Sequence, residues 1–275
     1  MSELQEGYRR YAAVVEYNGA CFHGWQRQKH NNEPTVQAAL EAALSVVADH
    51  PVEVACAGRT DAGVHATQQV IHFDSTAHRS DYGWMMGANT HLPDGVSLQW
   101  VSEVDAEFHA RYKAKARRYR YLIYNHSARP SLMHDQVTWY KYPLDAGLMH
   151  EAAQRLIGTH DFTSFRAKDC QANSPVKEMH HIRVERFDRL IMVELECSAF
   201  LYHMVRNIVG VLLPIGQGHQ PVEWMTEVLE AKDRTKAGVT APGGGLYFVG
   251  VEFPEQFNVP CQPWGPALLE PLLAR

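Results

Sequence analysis

The chain has 275 residues, 45% hydrophobic and 21% charged, the composition of a globular, enzyme-sized protein of one large or two ordinary domains. A net charge of −5 removes any global basic signal for nucleic acid, although charge can still be concentrated locally. No apolar run reaches the roughly eighteen residues of a membrane span, the opening MSELQEGYRRYAAVVEYNG carries no signal-peptide pattern, and the five cysteines (Cys21, Cys56, Cys170, Cys197, Cys261) contain no CxxC pair. These features predict a cytoplasmic protein with neither a disulfide framework nor a structural zinc.

In chain order, Arg10 to Tyr17 reads as a strand ending at an Asn18-Gly19 turn. A helix is predicted over Val36 to Ala48, because Thr35 is a good N-cap and Val36, Leu40, Ala43, Leu44 and Val47 fall on one face. Two short strands follow, Val52 to Cys56 and Val70 to Phe73, then a helix over Asp81 to Asn89 behind Ser80 and a strand over Ser97 to Val104. That order is β-α-β-β-α-β.

The second half repeats it. Strands are predicted at Arg118 to Asn125 and, as an extra element, at Val137 to Tyr142, followed by a helix over Ala146 to Ile157. A hairpin of Val176 to Phe187 and Leu190 to Cys197 turns at Asp188-Arg189. Helices over His203 to Leu213 and Glu223 to Ala231 precede a closing strand, Leu246 to Phe253. The fold class is therefore α+β: two ferredoxin-like βαββαβ halves, spanning 1–107 and 108–275, each an antiparallel sheet with helices on one face. The other sheet faces, or a cleft between the halves, are left for a ligand.

Between the strands at Cys56 and Val70 lies a connection of about a dozen residues, where a hairpin needs two to five, and connections that long are commonly functional. It holds Arg59, Thr60, Asp61 and His65 between Gly58 and Gly63. A carboxylate beside a guanidinium is by itself an ordinary surface pair. Here the loop length and the glycines point further, since a nearby arginine keeps an acid ionised for nucleophilic or general-base work. Metal ligation by His65 and His72 with Asp61 matches no standard spacing, and Cys56 lies in an apolar strand.

The run RYKAKARRYR, Arg111 to Arg120, holds six basic residues and no acid, with tyrosines between them. Rings beside cations suit exposed bases. Tyr121 reads as core, whereas Tyr119 at the strand start can reach a ligand. Arg206 sits in the apolar helix HMVRNIVGVLLPIG, where Tyr202, His203, Val209 and Gly210 provide no helical salt-bridge partner. Its charge needs a carboxylate from elsewhere, and Asp61 is the candidate. The Gly243-Gly244-Gly245 run before Leu246 lacks GK[ST] and leads into a strand, which argues against a triphosphate loop.

Taken together, GRTDAGVHA, FHARY, ARRYRYLIYN, DFTSFR, FLYHMVRNIVG and APGGGLYF, with YNGACFHGWQRQ and GPALL near the ends, resemble the bacterial tRNA pseudouridine synthase A family in register from Tyr11 to Leu269. The resemblance implies one continuous sheet with the active cleft between its halves, a homodimer gripping tRNA, and no cofactor. It implies that Asp61 is the essential aspartate, Tyr119 packs on the target uracil and Arg206 pairs with Asp61. By the same resemblance Arg59 helps displace the base, Leu246 flanks the pocket, and Arg79, Phe108, His109, Arg111, Tyr112, Arg166 and Asp169 contact tRNA. The implied reaction isomerises uridine in the anticodon stem-loop after base flipping. Asn18, Gln68, Gly243 and Gly244 depart from the family's usual residues. A non-catalytic RNA binder and a metal-dependent nuclease using Asp61 and His65 are the competing readings; the first lacks an RNP1-type motif and the second lacks carboxylates.

Overall fold

The computed structural model describes residues 6–27, 33–260, 262–263 and 265–269. Gln28, Cys261 and the side chain of Leu268, all drawn on above, lie outside that description. Two compact units are formed: Met1–Lys115 with Phe248–Arg275, and Ala116–Tyr247. The reading that kept 108–275 together therefore differs from the observed division at both ends. Residues 108–115 and the chain from Phe248 onward pack with the first unit, because long-range partners rather than sequence order decide where a terminal segment docks.

The first unit holds β1 (Arg9–Tyr17), α1 (Val36–Ala48), β2 (Val54–Cys56), β3 (His65–Ser75), α2 (Asp81–His91) and β4 (Val96–Val104). The strand order is β4-β1-β3 with β2 on the far side of β3, all antiparallel, as a split βαβ unit requires. Helix α1 starts where expected: the Thr35 side chain accepts from the Ala38 amide, and Asp49 closes it in the left-handed region at φ 59°. On the helix side, Tyr11, Phe73 and Trp84 of α2 form a ring cluster with centroids 5.1–5.4 Å apart.

The opposite face of this sheet is not open, contrary to expectation. Arg10 is buried and doubly bonded to Asp74, its cross-strand partner, at 2.7 and 2.8 Å. It also donates to the carbonyls of Ala106 and Phe108 at 2.8 Å each. Phe108 packs on Phe253 and Phe257 (5.1 and 5.2 Å), while the Gln68 amide donates to the Pro260 carbonyl at 3.1 Å. Segments 105–112 and 253–266 thus roof the strands. That explains why β3 is buried along nearly its whole length instead of alternating.

The second unit holds β5 (Ala116–Asn125), β6 (Thr138–Tyr140), α3 (Ala146–Gln154), β7 (Gly158–Asp161), β8 (Val176–Phe187), β9 (Leu190–Cys197), α4 (Met204–Gly216) and α5 (Trp224–Ala231). Its strands run β5-β9-β8-β7, antiparallel, with β6 parallel to β5. The short β7 occupies what the sequence reading left as loop, and α3 stops at Gln154 short of the expected Ile157. The last strand, β10 (Leu246–Glu252), begins in this unit and continues in the first. Helix α4 lies against the 237–242 loop so closely that a Cβ on Gly210 would stand 2.0 Å from the Val239 carbonyl oxygen.

Alternation in β5 sorts the basic run. Arg118 and Arg120 face Glu196 and Glu194 across the β5–β9 ladder and bond them at 2.6 Å each. Hence part of the basic segment that looked suited to nucleic acid is neutralised by its neighbouring strand. Burial alone would raise the Glu194 carboxyl, but hydrogen bonds from His181 and Arg120 and the nearby Arg118 outweigh it and hold it at about 2 against an ordinary 4.5. A lowered folded-state value means the stabilisation is complete above pH 4.5 and is lost as pH falls toward 2. Glu194→Gln, which leaves Arg120 buried without its counter-charge, is expected to cost about 3 kcal/mol at neutral pH and to flatten the acid limb. Urea unfolding between neutral and acidic pH measures both; an unchanged acid limb contradicts this assignment.

Candidate active site

The connection between β2 and β3 has no helix or strand of its own, so its shape must come from neighbours. Gln69, fully buried on β3, clamps Gly58 from both sides: its Nε2 donates to the Gly58 carbonyl at 2.6 Å and its Oε1 accepts from the Gly58 amide at 3.3 Å. Two residues on, the Thr60 hydroxyl is bonded to the Tyr17 hydroxyl at 2.8 Å, and the Thr60 carbonyl accepts from the Trp25 amide at 3.0 Å. The Val64 amide closes a turn onto the Asp61 carbonyl at 3.2 Å, and Gly63 takes φ +76° within it. Asp61 is half-buried at the head of this turn, with Arg59 exposed beside it.

Residue 24 must be glycine on two counts. It sits at φ +88°, and a Cβ there would meet the Thr60 oxygen, the Ala62 nitrogen and the Asp61 carbonyl carbon at 3.1–3.2 Å. His65 does not face a ligand: it is buried, and its Nδ1 accepts from the Gly19 amide at 3.1 Å. Cys56 is pushed up to about 12 by burial, which outweighs the nearby Arg59 and Arg111, so it is a thiol and not a nucleophile. Burial likewise raises the Tyr17 phenol, keeping it protonated as a hydrogen-bonding group.

The FHARY segment lies in the same unit. Phe108 is fully buried, so it anchors the turn rather than offering a surface. His109 is half-buried, and its Nδ1 accepts from the amides of Arg111 and Tyr112 at 3.1 and 3.3 Å. Arg111 and Tyr112 are exposed, with the guanidinium 5.7 Å from the ring centroid. Arg111 acts on the same Cys56 thiol as Arg59, which puts both cations at the foot of the Asp61 loop. Arg79, just before α2, is exposed and donates to the His78 carbonyl at 3.0 Å.

In the second unit, Tyr119 is buried (8% exposed) with its ring edge-on to Phe200 at 4.8 Å. Arg206 is half-buried on α4 and tied to Ala241 in both directions, its Nε donating to the Ala241 carbonyl at 2.7 Å and its own carbonyl accepting the Ala241 amide at 3.1 Å. Its charge is felt by the buried Tyr121, whose hydroxyl bonds Thr138 and the Pro242 carbonyl. Leu246 is buried at the start of β10, behind a Gly245 whose Cβ would stand 2.6 Å from the Leu122 oxygen. The glycine therefore serves close strand approach. Arg166 turns back to the Cys170 carbonyl at 2.6 Å, and Asp169 is exposed on the loop so formed. Within the first unit, then, Arg59 and Asp61 share one loop and Arg59 and Arg111 both act on Cys56; within the second, Arg206 is bonded to Ala241 and acts on Tyr121.

Sequence reasoning passed over Gln69, Tyr17 and Gly24, and weighed His72 only as a metal ligand. Their shared signal is a polar or glycine residue where the pattern calls for core, visible in TQQVIHF once both faces of that strand are known to be buried.

A carboxylate on a pinned loop, with Arg59 beside it and the protonated Tyr17 phenol and Cys56 thiol at its foot, is equipped for acid–base or nucleophilic work on an anionic substrate. The comparisons narrow that class. The family model described as tRNA pseudouridine synthase matches residues 13–113 and 152–254. The chain is 54% identical to a tRNA pseudouridine synthase A of Cronobacter sakazakii over 98% of its length and 99% of the relative's. It is 54% identical to one of Pseudomonas aeruginosa (97% and 93% covered) and 50% identical to one of Coxiella burnetii (94% and 99%). The chain belongs to the tRNA pseudouridine synthase family, and is an isomerase acting on tRNA. Among the described residues, no helix is long and apolar enough to cross a membrane.

Gly24→Ala is expected to lower stability by about 2 kcal/mol through strain and crowding of the Asp61 backbone, and to depress turnover with it. Gly218→Ala is the control, since Gly218 has a similar φ of +75° but nothing within 4 Å of its Cβ. Thermal unfolding and activity of the pair should separate them; equal behaviour contradicts the loop contact.

Proposed function

We propose that the chain converts uridine to pseudouridine in the anticodon stem-loop of tRNA, with Asp61 as the reacting carboxylate. The observation that supports this best is the pinning of the Asp61 turn at Gly58, Thr60 and Gly24, which presents one carboxylate in a set direction next to Arg59. Family membership supplies the reaction class. The N1–C1′ bond breaks, the uracil turns, and a C5–C1′ bond forms; C5 loses its proton and N1 gains one. Nothing is oxidised and no group leaves, so one carboxylate suffices where glycoside hydrolysis uses two. Asp61 either attacks C1′ or removes the 2′ proton.

The target base leaves its stack before reaction, a step that is cheapest in a loop or at a helix end. Arg59 assists that displacement. Tyr119, held edge-on to Phe200, packs on the uracil with Leu246 at its rim. Arg206 pairs with Asp61. Arg79, Phe108, His109, Arg111, Tyr112, Arg166 and Asp169 line the path of the tRNA, with Phe108 acting through the turn it anchors. A cytoplasmic homodimer, which doubles the local positive field along one RNA, fits a chain of net charge −5.

Tritium release from C5-labelled uridine in tRNA tests this directly. Asp61→Ala is expected to abolish release while tRNA is still bound, EDTA to have no effect, and Arg206→Met to reduce turnover by at least about a hundredfold. Strand cleavage, or release that survives Asp61→Ala, refutes the assignment. Full activity in Arg206→Met refutes the pairing alone.

A further inference from the structure

His72 is a buried, polar side chain in the middle of β3 for which the reaction has no use. It lies opposite Ala55 of β2 in the β2–β3 ladder, the pair of strands that carries the Asp61 loop. Its Nδ1 accepts from the Ala110 amide at 3.2 Å, inside the FHARY turn. One imidazole therefore joins the stem of the Asp61 loop to the turn that carries Arg111 and Tyr112. Aromatic contacts continue the link outward: the His72 ring is 4.5 Å from that of His109, and His109 is 4.2 Å from Tyr112, over which Arg111 rests. From the other side, Arg10 holds the carbonyls of Ala106 and Phe108.

The bridge needs a neutral ring, since a protonated Nδ1 cannot accept. Burial, aided by the charges of His109 and Arg10, lowers His72 to about 4, against the opposing pull of Asp74 and the Ala55 backbone. His109 is lowered too, again by burial first and Arg10 next. Both rings are accordingly acceptors at neutral pH.

We propose that His72 is a positioning residue for tRNA: by tying the β2–β3 stem of the Asp61 loop to the Phe108–Tyr112 turn, it fixes Arg111 and Tyr112 relative to Arg59 so that the cations engage one stretch of the RNA backbone together. This rests on the reading that the turn contacts tRNA, and the experiment separates the two. His72→Phe keeps a ring but no acceptor, His72→Gln moves the acceptor to the far end, and His72→Asn keeps an oxygen near the Nδ1 position.

The readouts are a double-mutant cycle with Arg111→Ala on KM and kcat for tRNA, and amide exchange at Ala110 through Tyr112 without RNA. His72→Phe is expected to raise KM roughly tenfold with kcat within about threefold, and to speed exchange in the turn. His72→Asn should recover most of the KM, and Arg111→Ala should add little in the His72→Phe background. If His72→Phe fails to fold, His72→Gln carries the same expectations. Unchanged KM, or effects of His72 and Arg111 that multiply as independent ones, overturns the proposal. Should Arg111→Ala alone leave KM unchanged, the turn is not an RNA contact and that reading fails, whereas unchanged exchange in His72→Phe defeats the bridge itself.

Discussion

The two hydrogen bonds between Gln69 and Gly58 are the constraint on which the site depends. A loop of this length has no ladder or helix to define it, and an unsupported carboxylate on such a loop samples many directions. Placing an amide side chain in a strand buried on both faces solves this, because Gln69 is itself immobile and satisfies both backbone groups of one glycine. Tyr17 of β1 and the loop residue Trp25 add bonds to Thr60, and His65 at the start of β3 accepts from the Gly19 amide.

The same buried row serves the second loop. Arg10 and His72 project from β1 and β3 onto the FHARY turn, and Asp74 bonds the buried Arg10 guanidinium twice there. Polar side chains that a fold alone has no reason to bury thus connect the chemistry-bearing loop to the cation-bearing turn. In the second unit, Ala241 plays the corresponding role for Arg206, meeting its backbone and side chain together.

Much of this was legible in the sequence where the signal is local. Helix α1 begins and ends at the expected residues since Thr35 and the apolar spacing lie within it, and the βαββαβ order follows from periodicity alone. The over-long connection marked Asp61. What stayed hidden depends on distant partners. Arg118 and Arg120 looked like RNA-binding cations, but Glu196 and Glu194 meet them from a strand more than seventy residues away. Residues 253–266 cover the first unit's sheet, which no pattern within that segment announces. The role of Gln69 was obscured because the sequence pattern starts the strand at Val70 and leaves Gln69 in the connection, whereas β3 begins at His65.

The central claim is that the Asp61 carboxylate works because its loop is held by β3. Single-turnover tritium release by Gln69→Leu, measured at saturating tRNA, tests it most directly. Leucine keeps the buried volume but leaves both Gly58 groups without their partner. The account predicts a chemical step slowed at least about tenfold, with tRNA affinity within about twofold of the parent. A single-turnover rate equal to the parent's, in a variant that is folded, contradicts it.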